Sequence, residues 1–157
     1  MKKISLLTIL FTFFGLTIYY VYPESKLKDG QKADRIVINK SKHELKLFYK
    51  KELLATYVVS LSSKGLNKKT KAGDSLTPEG VFKAKKRTFS NFHRAIEIGD
   101  WGSNCNVLIH GLKDKYRFIK KFHRFIDWTD GCVALTNTEI EEIYNAINNK
   151  TTIEINT

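Results

Sequence analysis

Three runs, Asp34-Arg35-Ile36-Val37-Ile38-Asn39, Glu44-Leu45-Lys46-Leu47-Phe48-Tyr49 and Glu52-Leu53-Leu54-Ala55-Thr56-Tyr57-Val58-Val59, set the architecture of this chain. Ile36 and Ile38, then Leu45, Leu47 and Tyr49, then Leu53, Ala55, Tyr57 and Val59 recur at every second position. A period of two puts one face of each run against a core, so the pattern predicts three β-strands separated by turns at Lys40-Ser41-Lys42 and Lys50-Lys51-Glu52. Residues 62–75 are polar and carry Gly65, Gly73 and four lysines, which reads as a long surface loop. Beyond the turn Thr77-Pro78-Glu79-Gly80, strands are expected from Val81, over Ala95-Ile96-Glu97-Ile98, over Asn106-Val107-Leu108-Ile109 and over Thr152-Ile153-Glu154-Ile155. Two stretches change period. Tyr116, Ile119, Phe122 and Ile126 recur at helical spacing, with Lys120, Lys121 and Arg124 opposite. Thr136-Asn137-Thr138-Glu139 is an N-cap signature ahead of the stripe Ile140, Ile143, Tyr144, Ile147. The fold class is mainly β, a sandwich or open barrel with one or two late α-helices.

Residues 34–157 suffice for one domain with a real core and hardly for two. Ahead of it, Lys2 and Lys3 precede an apolar run from Ile4 to Val21 closed by Tyr19, Tyr20 and Tyr22. Basic residues, an apolar run and an aromatic belt make residues 1–22 a signal anchor or signal peptide, with the anchor favoured because no small-x-small cleavage site follows. Residues 23–33 form a polar linker. Positive-inside orientation then places the domain on the extracytoplasmic side, attached to the membrane through the N-terminal helix. The net charge of +11 falls to +9 without Lys2 and Lys3, since 25 basic residues then face 16 acidic ones. Anionic wall polymer, anionic lipid or nucleic acid would each suit such a field, and an export signal removes nucleic acid. The two cysteines form no C-x-x-C motif, so a zinc ribbon or thioredoxin-like site is excluded.

Chemistry concentrates in Asp127-Trp128-Thr129-Asp130-Gly131-Cys132-Val133-Ala134-Leu135, with Ile109-His110-Gly111 ending a strand 22 positions before the cysteine. A cysteine leaving a glycine turn exposes both its sulfur and its backbone N–H. The N–H groups of Gly131 and Cys132 or their neighbours can serve as an oxyanion hole. A neutral imidazole within reach of the sulfur would take its proton, provided a third group fixes the imidazole tautomer. A Cys105–Cys132 disulfide would consume this nucleophile; strand alternation instead makes Cys105 a buried structural thiol facing away from His110.

These segments resemble the L,D-transpeptidase catalytic domain, also called the YkuD domain. The matching residues are His110-Gly111 and Thr129-Asp130-Gly131-Cys132-Val133, with Gly73-Asp74, Thr77-Pro78-Glu79-Gly80 and Ile36-Val37-Ile38 upstream. The resemblance covers approximately residues 34–155. It implies a cofactor-independent cysteine acyltransferase acting on peptidoglycan stem peptides. Cys132 would be the nucleophile, His110 the base, the Gly111 carbonyl its orienting group and Thr129 a support. The acyl group would pass from a thioester to an amine, on a second stem peptide or a protein lysine, or to water. His93 resembles a polar position of the substrate cleft in a small branch with an Asp-Trp-Thr-x-Gly-Cys run, and Trp128 is a second candidate there. The chain departs from the common pattern at Asp130, where a histidine is usual, and at Ala134, where an arginine is usual. Asp130 is expected to face solvent or hold an acceptor amine or a backbone turn, and Lys113, Arg117 or Arg124 to replace the lost cation. His43 and His123 read as solvated. Rival readings are a hydrolase of the same family (an L,D-carboxypeptidase, or an amidase releasing a wall-attached protein), a non-catalytic wall-binding module, and a metal hydrolase built from His93, His110, His123 and Cys132. The last lacks any close ligand pair.

Overall fold

The computed structural model describes residues 5–89, 92–101 and 106–157. Cys105 lies outside them, and with it the expectations about its orientation and its pairing. Among the described residues, nine strands form two sheets. The first has the order β3-β2-β1-β9-β4, from Glu52–Val58, Glu44–Tyr49, Arg35–Asn39, Thr152–Asn156 and Gly80–Lys83. Its β1–β9 pairing is parallel and its other three pairings are antiparallel. The second has the order β5-β6-β7-β8, from Lys85–Phe89, Phe92–Asp100, Asn106–His110 and Val133–Ala134, with a parallel β7–β8 pairing. The chain passes from one sheet to the other at the buried Ala84, between β4 and β5. Both sheets are open, so the architecture is the mainly β, unclosed arrangement expected.

One apolar cluster joins Ile36, Ile38, Leu45, Leu47 and Tyr57 to Ile96, Ile98, Ile109, Val133 and Leu135. The period-two reading holds through β1 and fails at one end of β2. A register shift at Leu47/Phe48 sets Leu54 as an extra residue of β3, which leaves Leu53 exposed, and Tyr49 at the end of β2 is exposed as well. Such a bulge reverses the faces beyond it. Strand β5, Lys-Lys-Arg-Thr-Phe in sequence, carried no alternation that would have revealed it.

Helix α2, Asn137–Ala146, starts with the expected cap: Thr136 Oγ1 accepts from the Glu139 N–H, and the Glu139 carboxylate accepts from the Thr136 N–H. Its buried stripe, Ile140, Ile143 and Ala146, packs into the core. At the other end of the chain, helix α1 (Leu6–Val21) buries no residue. Among the described residues no helix is long and apolar enough to cross a membrane.

One expectation fails, and one turn residue is more than a turn residue. Lys40 lies in the expected turn, where the His43 N–H donates to its carbonyl, yet its side chain is fully buried: the ammonium pairs with Glu79 at 2.6 Å and donates to the Leu66 carbonyl at 2.7 Å. Residues 114–125, read as an amphipathic α-helix, form two 3-10 turns joined across Lys120, whose φ is +46°. Tyr116 and Ile126 face outward there, while Lys121 and His123 are buried. Lys121 donates to the Tyr22 carbonyl at 2.7 Å, and Arg124 closes on the buried Glu139 carboxylate. Partners for these polar heads outweighed the helical period. Glu139 thus serves both cap and insert. Thr136→Ala is expected to cost about 1–2 kcal/mol of stability with the fold retained, read from denaturant unfolding; an unchanged midpoint would contradict the capping account.

Candidate active site

His110 ends β7 between two neighbours. On one side β6 pairs Ala95 with His110, and the Gly111 N–H donates to the Arg94 carbonyl at 3.3 Å. On the other, β8 runs parallel with Ile109 opposite Val133 and His110 opposite Ala134. The Leu135 N–H donates to the His110 carbonyl at 2.9 Å, which closes this ladder. Cys132 immediately precedes β8, two positions before Ala134, the residue opposite His110.

The His110 ring lies between Phe92, with centroids 4.1 Å apart, and Trp128, which meets it edge-on at 6.0 Å. The residue is 2% exposed. Its Nδ1 is 2.6 Å from the Gly111 carbonyl oxygen. A carbonyl only accepts, so Nδ1 carries the proton and the lone pair is on Nε2. Burial lowers the imidazole pKa to about 4, with Lys113 acting in the same direction and the Gly111 carbonyl opposing. The ring is therefore neutral at physiological pH and able to take a proton.

Gly111 has no room for a side chain: a Cβ would lie 2.7 Å from Asn137 Oδ1 and 2.9 Å from Ile140 Cγ2. The same Asn137 oxygen accepts from the Leu112 N–H at 2.7 Å. Asn137 therefore fixes the chain just beyond the histidine, and nothing in the sequence pattern marked it for that role.

The turn before Cys132 is held on several sides. Asp127 accepts from the Leu61 N–H at 2.7 Å and lies 2.8 Å from His43 Nε2, so His43 is hydrogen-bonded rather than simply solvated. Thr129 is buried; its hydroxyl donates to the Cys132 carbonyl at 2.7 Å and its N–H to the Leu61 carbonyl at 3.0 Å. Gly131 has φ +98°, and a Cβ there would lie 2.5 Å from the Leu76 carbonyl oxygen. A side chain is excluded on both grounds. Leu76 is itself placed by the loop after β3, where Lys69 and Asp74 pair at 2.6 Å and Asp74 accepts from the Leu76 N–H. The long surface loop of the sequence reading is thus stapled beneath the cysteine turn. Asp130 is exposed, as expected.

The remaining predicted positions separate. His93 pairs with Glu141 of α2 at 2.6 Å, and Arg94 reaches the same carboxylate at 3.2 Å. Arg124 is committed to Glu139, whereas Lys113 and Arg117 are exposed. His123 is not solvated: it is buried, its Nδ1 receives Trp128 Nε1–H at 3.4 Å, and Ser60 Oγ lies 3.0 Å from that same nitrogen. Burial, with Arg124 and His110 nearby, lowers its pKa to about 3. His110, Trp128 and His123 therefore make a continuous run of edge-on ring contacts.

Because both imidazoles are held neutral, the unfolded chain binds more protons than the folded one below its own histidine pKa of about 6.5. Stability from this source is complete above that pH and declines as pH falls through about 4 for His110 and about 3 for His123. His123→Phe is expected to flatten the fall in unfolding free energy below pH ~6.5, by about 1.4 kcal/mol for each pKa unit removed. An unaltered pH slope would show that His123 is not held neutral.

Comparison with known proteins adds three observations. A family profile described as the YkuD L,D-transpeptidase catalytic domain matches residues 33–155. Over 119 residues the chain is 32% identical to the Escherichia coli (strain K12) protein YafK, whose name places it among the L,D-transpeptidases. That match takes in 71% of this chain and 46% of YafK, so the chain spans about half the length of this relative. Among solved structures it is similar to an L,D-transpeptidase from Mycobacterium smegmatis, at 15% identity and a TM-score of 0.57, over 80% of this chain and 59% of that one. It is also similar to the helical cell shape determining protein Pgp2 from Campylobacter jejuni, at 16% identity and a TM-score of 0.56, over 90% of this chain and 54% of that one. At these identities the structural likeness speaks to the fold alone.

Proposed function

The chain belongs to the YkuD L,D-transpeptidase catalytic-domain family, and from that premise we propose that it is a cysteine acyltransferase acting on peptidoglycan stem peptides. The observation that carries the reading is the 2.6 Å contact of His110 Nδ1 with the Gly111 carbonyl, which leaves Nε2 as a base at the end of the strand that pairs with the one Cys132 leads into. In the proposed reaction the Cys132 thiol gives its proton to His110 Nε2. The sulfur adds to the carbonyl of the L-centre of diaminopimelate, and the N–H groups of the Gly131–Cys132 turn stabilise the oxyanion. The C–N bond breaks, and imidazolium returns the proton to the departing D-alanine amine. An amine acceptor, from a second stem peptide or a protein lysine, then loses a proton to His110 and attacks the thioester carbonyl, releasing the thiol. Water in place of the amine gives hydrolysis.

The other site residues are support. Thr129 ties the Cys132 carbonyl, Gly131 permits the tight passage over Leu76, and Trp128 walls His110. Asp130 faces solvent and is suited to an acceptor amine. His93, with the Glu141 carboxylate beside it, is a candidate contact for the outer part of the peptide. The apolar α1 attaches the domain to the outer face of the cytoplasmic membrane, which puts the site where peptidoglycan is.

The chain incubated with disaccharide tetrapeptide is expected to yield a crosslinked dimer or a bare tripeptide by mass spectrometry. Cys132→Ala is expected to abolish both, together with any thioester to a carbapenem-type probe. His110→Ala is expected to slow turnover about 10²–10⁴-fold. Wild-type chain that binds wall fragments, forms no thioester and yields no product would favour the binding-module reading instead.

A further inference from the structure

Residues 113–126 are inside out for a segment facing water. Lys121 and His123 are only 6% exposed, whereas Tyr116, Phe118, Phe125 and Ile126 are 44%, 65%, 66% and 69% exposed. Away from α1 and this insert, the exposed large apolar side chains are scattered over β2, β3 and β4 as Tyr49, Leu53, Val58 and Val81. Among the described residues outside α1, they gather only on the insert. There an apolar hollow of about 360 Å³ opens among Leu112, Tyr116, Ile119, Phe122, Ile126 and Trp128. Six basic residues and one acidic residue, Asp114, lie on the same segment, and Lys113, Lys115 and Arg117 point into solvent. The insert is also fastened to α1: Phe122 and Phe125 lie 5.8 Å and 6.0 Å from the Tyr19 ring, and Lys121 donates to the Tyr22 carbonyl. Helix α1 is apolar all round and buries no residue.

An aromatic and aliphatic face flanked by lysine and arginine, beside an apolar helix, has the composition of a surface that lies in the headgroup layer. Its charge selects anionic lipid. We propose that the insert docks on an anionic phospholipid bilayer next to α1, with its apolar face in the interfacial layer and Lys113, Lys115 and Arg117 against lipid phosphates. The inference rests on the reading that α1 attaches the chain to a membrane. Its consequence is positional: the insert runs directly into Trp128 and the cysteine turn, so docking sets the height and orientation of the site above the lipid.

The test uses the full chain in nanodiscs of phosphatidylglycerol or of phosphatidylcholine, with amide hydrogen exchange read over residues 113–126. Exchange is expected to be about a hundredfold slower on the anionic discs, as three basic residues at a charged surface would give. The triple variant Phe118→Ser, Lys115→Glu, Arg117→Glu is expected to stay on the discs through α1 and to lose that difference. A chain held on both discs with no protection of the insert, or with equal protection on both, overturns the docking and leaves the attachment by α1 standing. Protection already present in detergent, with a dimer in sedimentation, overturns it in favour of a second copy covering the face. A chain that binds neither disc overturns attachment and docking together.

Discussion

Two register pairs, Ile109 with Val133 and His110 with Ala134, set the geometry on which the rest of the structure depends. A parallel pair of strands cannot be joined by a tight turn, so the chain leaves β7 at His110, makes a long excursion and returns through Asp127–Cys132. That excursion is the insert. It supplies Trp128, which shields one side of the histidine, and His123, which receives the Trp128 indole N–H. The site is therefore a by-product of how a short parallel pairing has to be connected.

Keeping the imidazole neutral depends on the same enclosure. Phe92 and Trp128 remove water from the ring, and burial lowers its pKa far more than the single carbonyl contact restores it. The Gly111 carbonyl selects which nitrogen keeps the proton. Burial thus sets the charge and the hydrogen bond sets the tautomer. Neither would suffice for a base: an exposed ring would share its proton with water, and an unoriented one would present either nitrogen.

The strands β1, β6, β7 and β9, the cap of α2 and the open two-sheet architecture were legible because each is written locally, in alternation or in capping residues. The adjacency of the His110 and Cys132 segments was legible only through the resemblance of the two motifs to a known family, and the β7–β8 pairing bears it out. What stayed hidden was non-local. Lys40, Lys121 and Arg124 are long polar side chains whose partners, Glu79, the Tyr22 carbonyl and Glu139, come from distant segments. Asn137 and Asp127 act through their carboxamide and carboxylate on Leu112 and Leu61, and no periodicity announces such contacts. His123 looked solvated because Lys120, Lys121 and Arg124 surround it in sequence; in the fold those neighbours turn to their own partners.

The account turns on one nitrogen. The full chain carrying ¹⁵N-labelled histidine, with His110→Gln to assign the resonance, can be read by long-range ¹H–¹⁵N correlation at neutral pH. The expected result is a neutral His110 protonated at Nδ1 and bare at Nε2. A His110 ring protonated at Nε2, or at both nitrogens, would contradict it.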